Sequence, residues 1–242
     1  MHCLIVSDIH ANRVAFDAVL EDAPVFDEIW CLGDLVGYGP EPNACIERLQ
    51  EFPHVCVLGN HDQAALGRLD LRAFNLDARL ANTWTQRRLT PKAREYLEQL
   101  PMAIVRDQFH LVHGSPREPL WEYLLEAYTA YANFAYFSTS VCLVGHSHIP
   151  LLFRMDGVGQ HCELMVRQPG QRVELSPNRA IANPGSVGQP RDGDARASYA
   201  ILDTDAMTWE WHRVRYTISM VQDRMREFDF PRRLVERLAV GR

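Results

Sequence analysis

Cys3-Leu4-Ile5-Val6-Ser7-Asp8-Ile9-His10 sets the pattern of the chain: a four-residue apolar run that stops abruptly at an acid and an imidazole. The same ending recurs four times. Ile29-Trp30-Cys31-Leu32 runs into Asp34, and Val55-Cys56-Val57-Leu58 into Asn60 and His61. Phe109-His110-Leu111-Val112 is followed by His113, and Val141-Cys142-Leu143-Val144 by His146 and His148. Short runs rich in Val, Ile, Leu and Cys predict strands buried on both faces, so each polar group stands just past a strand's carboxyl end. Open α/β sheets bind their ligands along that edge.

Working outward, helical patterns fill the gaps between the first strands. Ala11, Ala15, Ala18 and Val19 share one face, and Cys45, Ile46 and Leu49 another behind Pro40 and Pro42, which predicts a β-α-β-α-β start. From 63 to 100 the pattern stays helical, with Leu76, Leu80 and Trp84 at spacing four and Thr90-Pro91 opening a further helix. The aromatic-rich stretch 118–137 reads as a packed helical face, with pocket lining as the lesser alternative. After Pro150 come strand candidates at 151–155, 162–166, 172–175, 180–183, 199–203 and 207–213, separated by Gly, Pro and Asp turns; they predict a second, largely antiparallel sheet. Pro231 opens a final helix with Leu234, Val235 and Leu238 on one side. No repeat or linker interrupts the 242 residues, so one α/β domain spanning 1–242 is expected.

Composition narrows the partners. With 47% hydrophobic and 23% charged residues, disorder, collagen-like repeats and a membrane-embedded chain are excluded. Lys plus Arg number 25 against 31 Asp plus Glu, a net charge of −6, which lacks the basic track that stable nucleic-acid binding needs. Anion binding must therefore be local. The first apolar run has no basic segment before it and Ser7-Asp8 interrupts it early, so neither a signal peptide nor a membrane span is expected, and a cytoplasmic location is. Six cysteines without a C-x-x-C pair suit buried free thiols in a reducing compartment.

Each strand-end polar residue alone has a plain reading. Asp8 or Asp34 can cap a helix, Asn60 can make a turn, and His113 can sit bonded in the core. Five such endings in one chain point elsewhere. Imidazole nitrogens with carboxylate and amide oxygens, and no sulfur, suit divalent ions such as Mn, Fe, Zn or Co. Seven donors exceed one tetrahedral site. Shared between two metals about 3.5–4 Å apart, they leave room for a bridging carboxylate and a bridging hydroxide, the arrangement used for in-line displacement at phosphorus. Two carboxylates under two divalent ions also leave a locally positive, phosphate-attracting site in an acidic chain.

The motifs Ser7-Asp8-Ile9-His10-Ala11-Asn12, Gly33-Asp34-Leu35-Val36-Gly37-Tyr38-Gly39-Pro40, Gly59-Asn60-His61-Asp62, Val112-His113-Gly114-Ser115-Pro116 and Gly145-His146-Ser147-His148 resemble those of the calcineurin-like metallophosphoesterases. Asn183-Pro184-Gly185-Ser186-Val187-Gly188-Gln189-Pro190-Arg191 is similar to the later signature of that family's small bacterial phosphodiesterase branch. The resemblance implies a four-layer αββα sandwich of two mixed β-sheets flanked by helices, with a dinuclear site. It implies that Asp8, His10 and His148 hold one metal (Mn, Fe, Zn, Co or Ni), that Asn60, His113 and His146 hold the second, and that Asp34 bridges them. His61 would then act on the leaving group or the phosphoryl oxygens. Ala11 stands where the branch often has Gly.

Residues beside the motifs are candidates for substrate contact: Asn12, Arg13, Tyr38, Arg117 and Arg191, the arginines because guanidinium groups bind phosphate bidentately. Surface exposure is the plain reading of each arginine. Asp62 orients His61 or, more simply, caps the following helix. The function expected is hydrolysis of small phosphodiesters or nucleotides, dinucleoside polyphosphates among them. The alternatives are a protein or small-molecule phosphomonoesterase and a metal-binding scaffold of the same fold, which the complete donor set disfavours.

Overall fold

The computed structural model describes residues 1–165, 169–175 and 177–242. Strands β1 (His2–Val6), β2 (Glu28–Cys31) and β3 (His54–Cys56) pair in parallel, with helices α1 (Arg13–Asp22) and α2 (Pro42–Leu49) as their crossovers. Helix α3 (Asn60–Ala65), a 3₁₀ turn (Leu71–Ala73), α4 (Leu76–Arg88) and α5 (Pro91–Glu98) follow. Then come β4 (Ala103–Arg106), β5 (Phe109–Val112), α6 (Ala127–Asn133), β6 (Val141–Leu143), β7 (Pro150–Met155), β8 (Cys162–Met165), β9 (Arg172–Glu174), β10 (Ala180–Pro184), β11 (Ala197–Asp203) and β12 (Thr208–Val214). Helices α7 (Ile218–Glu227) and α8 (Arg232–Arg237) close the chain.

Two mixed sheets of six strands each result, in the orders β3-β2-β1-β11-β12-β9 and β4-β5-β6-β10-β7-β8. The alternation of side chains along β1 shows how they stack. Cys3 and Ile5 pack with Trp30, Phe109, Leu143 and Trp209 between the sheets. Leu4 and Val6 point the other way, against Phe16 and Val19 of α1 and Ile46 of α2. On the far side, Cys142 and Ile181 of the second sheet bury Ala130 of α6 together with Phe134 and Phe137. Each fully buried Leu, Ile or Phe contributes about 1.5–3 kcal/mol, and their presence on both faces of both sheets is what makes the stack four layers deep. Among the described residues, no helix is long and apolar enough to cross a membrane.

Several sequence expectations need correction. The strands after Pro150 do not form a sheet of their own: β7, β8 and β10 join β4–β6, while β9, β11 and β12 extend the first sheet. Local periodicity carries no information about which sheet a strand enters. Strand β4 and helix α7 were not anticipated; β4 is an edge strand paired only with β5 and has an exposed, weakly apolar face. Ala11 precedes α1, whose first turn Asn12 caps by accepting from Ala15 N at 3.0 Å. Leu76 and Leu80 of α4 are exposed, and the buried face is built from Ala78, Ala81, Asn82 and Thr85. Within 118–137 only α6 and a 3₁₀ turn (Phe134–Tyr136) are helical, and Trp121, Tyr123, Tyr128, Tyr131 and Tyr136 are exposed. Of the strand expected at 162–166, Val166 lies outside the described residues.

Candidate metal centre and its cleft

The chain brings the strand-end residues to one place. Asp8 and His10 follow β1, Asp34 follows β2, Asn60 opens α3 after β3, His113 follows β5, and His146 and His148 follow β6. All seven are at most 4% exposed. Five of them stand in the left-handed backbone region: Asp8 at φ 53°, His10 at 47°, Asp34 at 53°, His146 at 63° and His148 at 61°. Such conformations cost non-glycine residues free energy and persist only where surrounding bonds over-determine them. Here Asp8 N donates to Gly33 O, His10 N to Asp34 O and Ala11 N to Leu35 O, all within 2.9–3.0 Å, so the first two loops lie on one another. Gly59 and Gly145 let the other loops approach: a Cβ at Gly59 would collide with the Asp34 carboxylate, and one at Gly145 with Ser7 Oγ.

The histidines are aimed by their outer nitrogens. His10 Nδ1 donates to Val36 O at 3.2 Å, His113 Nδ1 to Leu32 O at 2.8 Å and His148 Nδ1 to Gln189 O at 2.6 Å. Each bond holds its ring with Nε2 turned inward toward the cluster, as metal-ligating histidines are held. Two groups form around a shared acid. Asp8, His10, Asp34 and His148 offer donor atoms within 4.8 Å of one another, and so do Asp34, His113 and His146. Asp34 Oδ2 is 3.6 Å from His10 Nε2 and 3.3 Å from His113 Nε2, which puts it between the groups. Asn60 Oδ1 lies 3.1 Å from His113 Nε2 and belongs with the second.

Burial opposes ionisation of Asp8 and Asp34, yet the imidazoles around them, His148 for Asp8 and His113 for Asp34, hold both well below the usual carboxylate range. Burial keeps His10 and His148 below their ordinary value and pushes His146 down to about 3. Ionised carboxylates and neutral imidazoles are the states that bind a cation. His113 is raised to about 10: burial lowers it, but the charge of Asp34 outweighs burial, so the proton stands where positive charge is wanted. The decisive feature is that Asp8 Oδ1, Asp34 Oδ2 and His146 Nε2 are buried without a hydrogen-bond partner. Leaving such atoms bare costs about 1–3 kcal/mol each, and a divalent ion would satisfy all three. The donor set therefore fits divalent metal.

His61 stands beside this cluster and outside both groups. Its N–H donates to Asp34 Oδ1 at 2.8 Å, and its Nδ1 donates to Asn82 Oδ1 at 3.1 Å. Burial lowers its pKa to about 4. Asp62 caps α3: it accepts from Gly59 N and, from across the loop, from Val36 N, both at 3.0 Å. Arg191 lines the cleft above the cluster, its guanidinium 5.7 Å from the Tyr38 ring and Nη2 donating to Gln189 Oε1. The remaining candidates are engaged elsewhere. Asn12 caps α1 and donates to Gly188 O; Arg13 pairs with Asp17 and Ala44 O; Arg117 pairs with Glu122. Neither Arg13 nor Arg117 is among the residues that line this cleft.

Asn82 and Phe74 escaped sequence reasoning, and Trp121 and Tyr123 belong to the stretch 118–137 for which pocket lining was the lesser alternative. Asn82 was hidden in a segment without ligand spacing, although an Asn on a buried helical face was a usable signal. The cleft has a volume of about 190 Å³, and Phe74, Trp121 and Tyr123 form its wall.

A family model of the calcineurin-like phosphoesterase superfamily domain matches residues 1–207. The chain belongs to that superfamily. As a member of that family it is a phosphoester hydrolase. A metallophosphoesterase crystal structure from Sphaerobacter thermophilus is 47% identical, superposes with a TM-score of 0.92 and covers 100% of this chain and 99% of its own. An uncharacterized protein of Methanocaldococcus jannaschii is 35% identical over 98% of this chain and 97% of its own length. A symmetrical bis(5'-nucleosyl)-tetraphosphatase of Glaesserella parasuis is 38% identical over 74 residues, 28% of this chain and 27% of that protein.

Proposed function

We propose that this phosphoesterase holds two divalent ions that share Asp34, and that it hydrolyses small phosphodiesters or nucleotides, dinucleoside polyphosphates among them, with the 242 residues acting as one domain. In this reading Asp8, His10 and His148 serve one ion, and Asn60, His113 and His146 the other. The carrying observation is the set of buried, unpartnered donor atoms, which spans both groups. The similarity to a symmetrical bis(5'-nucleosyl)-tetraphosphatase supports a nucleotide substrate. Nitrogen and oxygen donors without sulfur favour Mn, Fe, Zn, Co or Ni. When bound, such ions would neutralise phosphoryl oxygens and make a water acidic enough to attack phosphorus near neutral pH.

The protein's own groups set up the rest. Asp34 is held by the His61 N–H, so the shared carboxylate and the His61 ring form one frame. With Nδ1 engaged by Asn82, Nε2 of His61 is left to meet the substrate. Neutral while the cleft is empty, it would take up a proton from solvent as phosphate charge arrives and give it to the departing oxygen. Arg191, whose Nε is buried without a partner, supplies a guanidinium for a non-reacting phosphate oxygen.

Metal-stripped protein, verified by elemental analysis, should be inactive on bis(p-nitrophenyl) phosphate and on diadenosine tetraphosphate, and Mn²⁺ should restore both. Full turnover by metal-free protein would overturn the reading.

A further inference from the structure

Trp121 and Tyr123 are 36% and 45% exposed. They are not scattered. Trp121 meets Phe74 edge to face at 5.0 Å between ring centres, Phe74 meets His61 at 5.1 Å, and Tyr123 stacks on His146 at 4.1 Å. Two successive ring contacts thus lead from His61 at the phosphate end of the cleft to Trp121 at its mouth. The two walls come from different segments: Phe74 from the turn before α4, and Trp121 with Tyr123 from the irregular stretch after His113. Phe74 packs against the buried cluster of Tyr38, Ala78 and Ala81 and is thereby held in place, whereas the buried aromatics of the layer behind Trp121 and Tyr123 are Phe134 and Phe137.

We propose that Trp121, propped by Phe74, is a stacking platform for the nucleobase of a nucleoside phosphate whose phosphate lies at the metal cluster. The inference deepens the function proposed above and rests on it for the position of the phosphate. Three features support a base rather than an alkyl group. The wall is aromatic rather than aliphatic, and π-faces recognise flat rings without regard to base identity. Trp121 is removed from His61 by the Phe74 ring, at 5.0 Å and 5.1 Å between successive ring centres, and that offset is open to the sugar that joins phosphate to base. Among the described residues lining the cleft Asp34 is the only acid, and it is committed to the cluster.

The test is equilibrium binding of adenosine 5'-monophosphate and ribose 5-phosphate, which differ only in the base, to the Mn²⁺-loaded protein. Wild type should bind the nucleotide about 5- to 150-fold more tightly, the range that one stacked base gives. Trp121→Ala should abolish that preference and leave ribose 5-phosphate affinity unchanged, while Trp121→Phe should keep most of it. Equal affinity of wild type for the two ligands, or an equal loss on both in Trp121→Ala, would overturn the platform. Turnover of phosphodiesters is scored separately: a protein that shows the base preference but no metal-dependent hydrolysis keeps the platform and refutes the proposed function.

Discussion

At the scale of single residues, the donor set separates into groups with different expected consequences. Asp34 faces both clusters, through Oδ2 toward His10 and His113 and through Oδ1 toward the His61 N–H, whereas Asn60 faces only His113. Asp34→Ala should therefore reduce bound metal more than Asn60→Ala does, measured as ions per chain by elemental analysis. Two ions retained in both variants would contradict the shared carboxylate. His61 is expected to matter for rate and not for metal. His61→Ala should keep both ions and lose on the order of 10²–10⁴ in single-turnover rate on an alkyl ester. On a nitrophenyl ester the loss should be markedly smaller, because that leaving oxygen needs little protonation. An equal loss on both esters would leave His61 as a positioning group, and loss of metal would make it a ligand. The recurrence of such residues after five apolar runs was legible in the sequence, although each alone could cap a helix, make a turn or sit in the core; the division between two ions and the part given to His61 came from the family resemblance. Asn82 was not legible, because a side chain that acts through His61 leaves no periodic trace among helix residues, and Trp121 was legible only within a stretch of aromatics for which pocket lining was the lesser reading.

At the scale of elements, the strand-to-loop transitions do the positioning, and Asp62 is the fastener between two of them. Its two oxygens accept from Gly59 N and Val36 N, so α3 is capped and the Asp34 loop is tied to the Asn60 loop by one carboxylate. An amide in its place can accept only one of those bonds and turns an NH₂ toward the other donor. Asp62→Asn should lower stability by about 1–3 kcal/mol, read as a shift in denaturant midpoint at constant m-value. No change in midpoint would show the two bonds to be dispensable. The parallel start β1-α1-β2-α2-β3 was legible because each strand is a continuous apolar run followed by an amphipathic helix. The sharing of the later strands between two sheets was not, since β9, β11 and β12 look locally like β7, β8 and β10. Long-range pairing such as His2 with Asp203 is decided by packing, and the sequence around either residue says nothing of it. The exposed face of α4 misled for a related reason. Its buried side is made of small residues that fit against α3 and the tail helices, while Leu76 and Leu80 supply the apparent apolar stripe.

At the scale of the whole molecule, the proposed ligands come from both sheets: Asp8, His10, Asp34 and Asn60 follow strands of the first, and His113, His146 and His148 follow strands of the second. Metal would therefore join the two sheets at their carboxyl edge and, in the same act, satisfy Asp8 Oδ1, Asp34 Oδ2 and His146 Nε2. A ligand that binds the native state and not the unfolded chain stabilises the fold by about 2.7 kcal/mol at a hundred times its dissociation constant. For a chain of this size each kcal/mol moves the melting temperature by about 2–4 °C, so two Mn²⁺ ions bound at that excess should together raise the Tm of stripped protein by about 10–20 °C. The rise should depend on metal concentration and should shrink in Asp34→Ala. Acidification should erode it, because protons compete for the imidazoles: His113 binds its proton with a pKa of about 10 in the absence of a cation, held there by Asp34 against burial, and metal must displace that proton. Metal affinity should accordingly rise with pH through the neutral range, with proton release detectable in a weakly buffered titration. A Tm that does not respond to removal and return of metal would mean that the seven residues are held together by the fold alone, and that the cluster is not a metal centre.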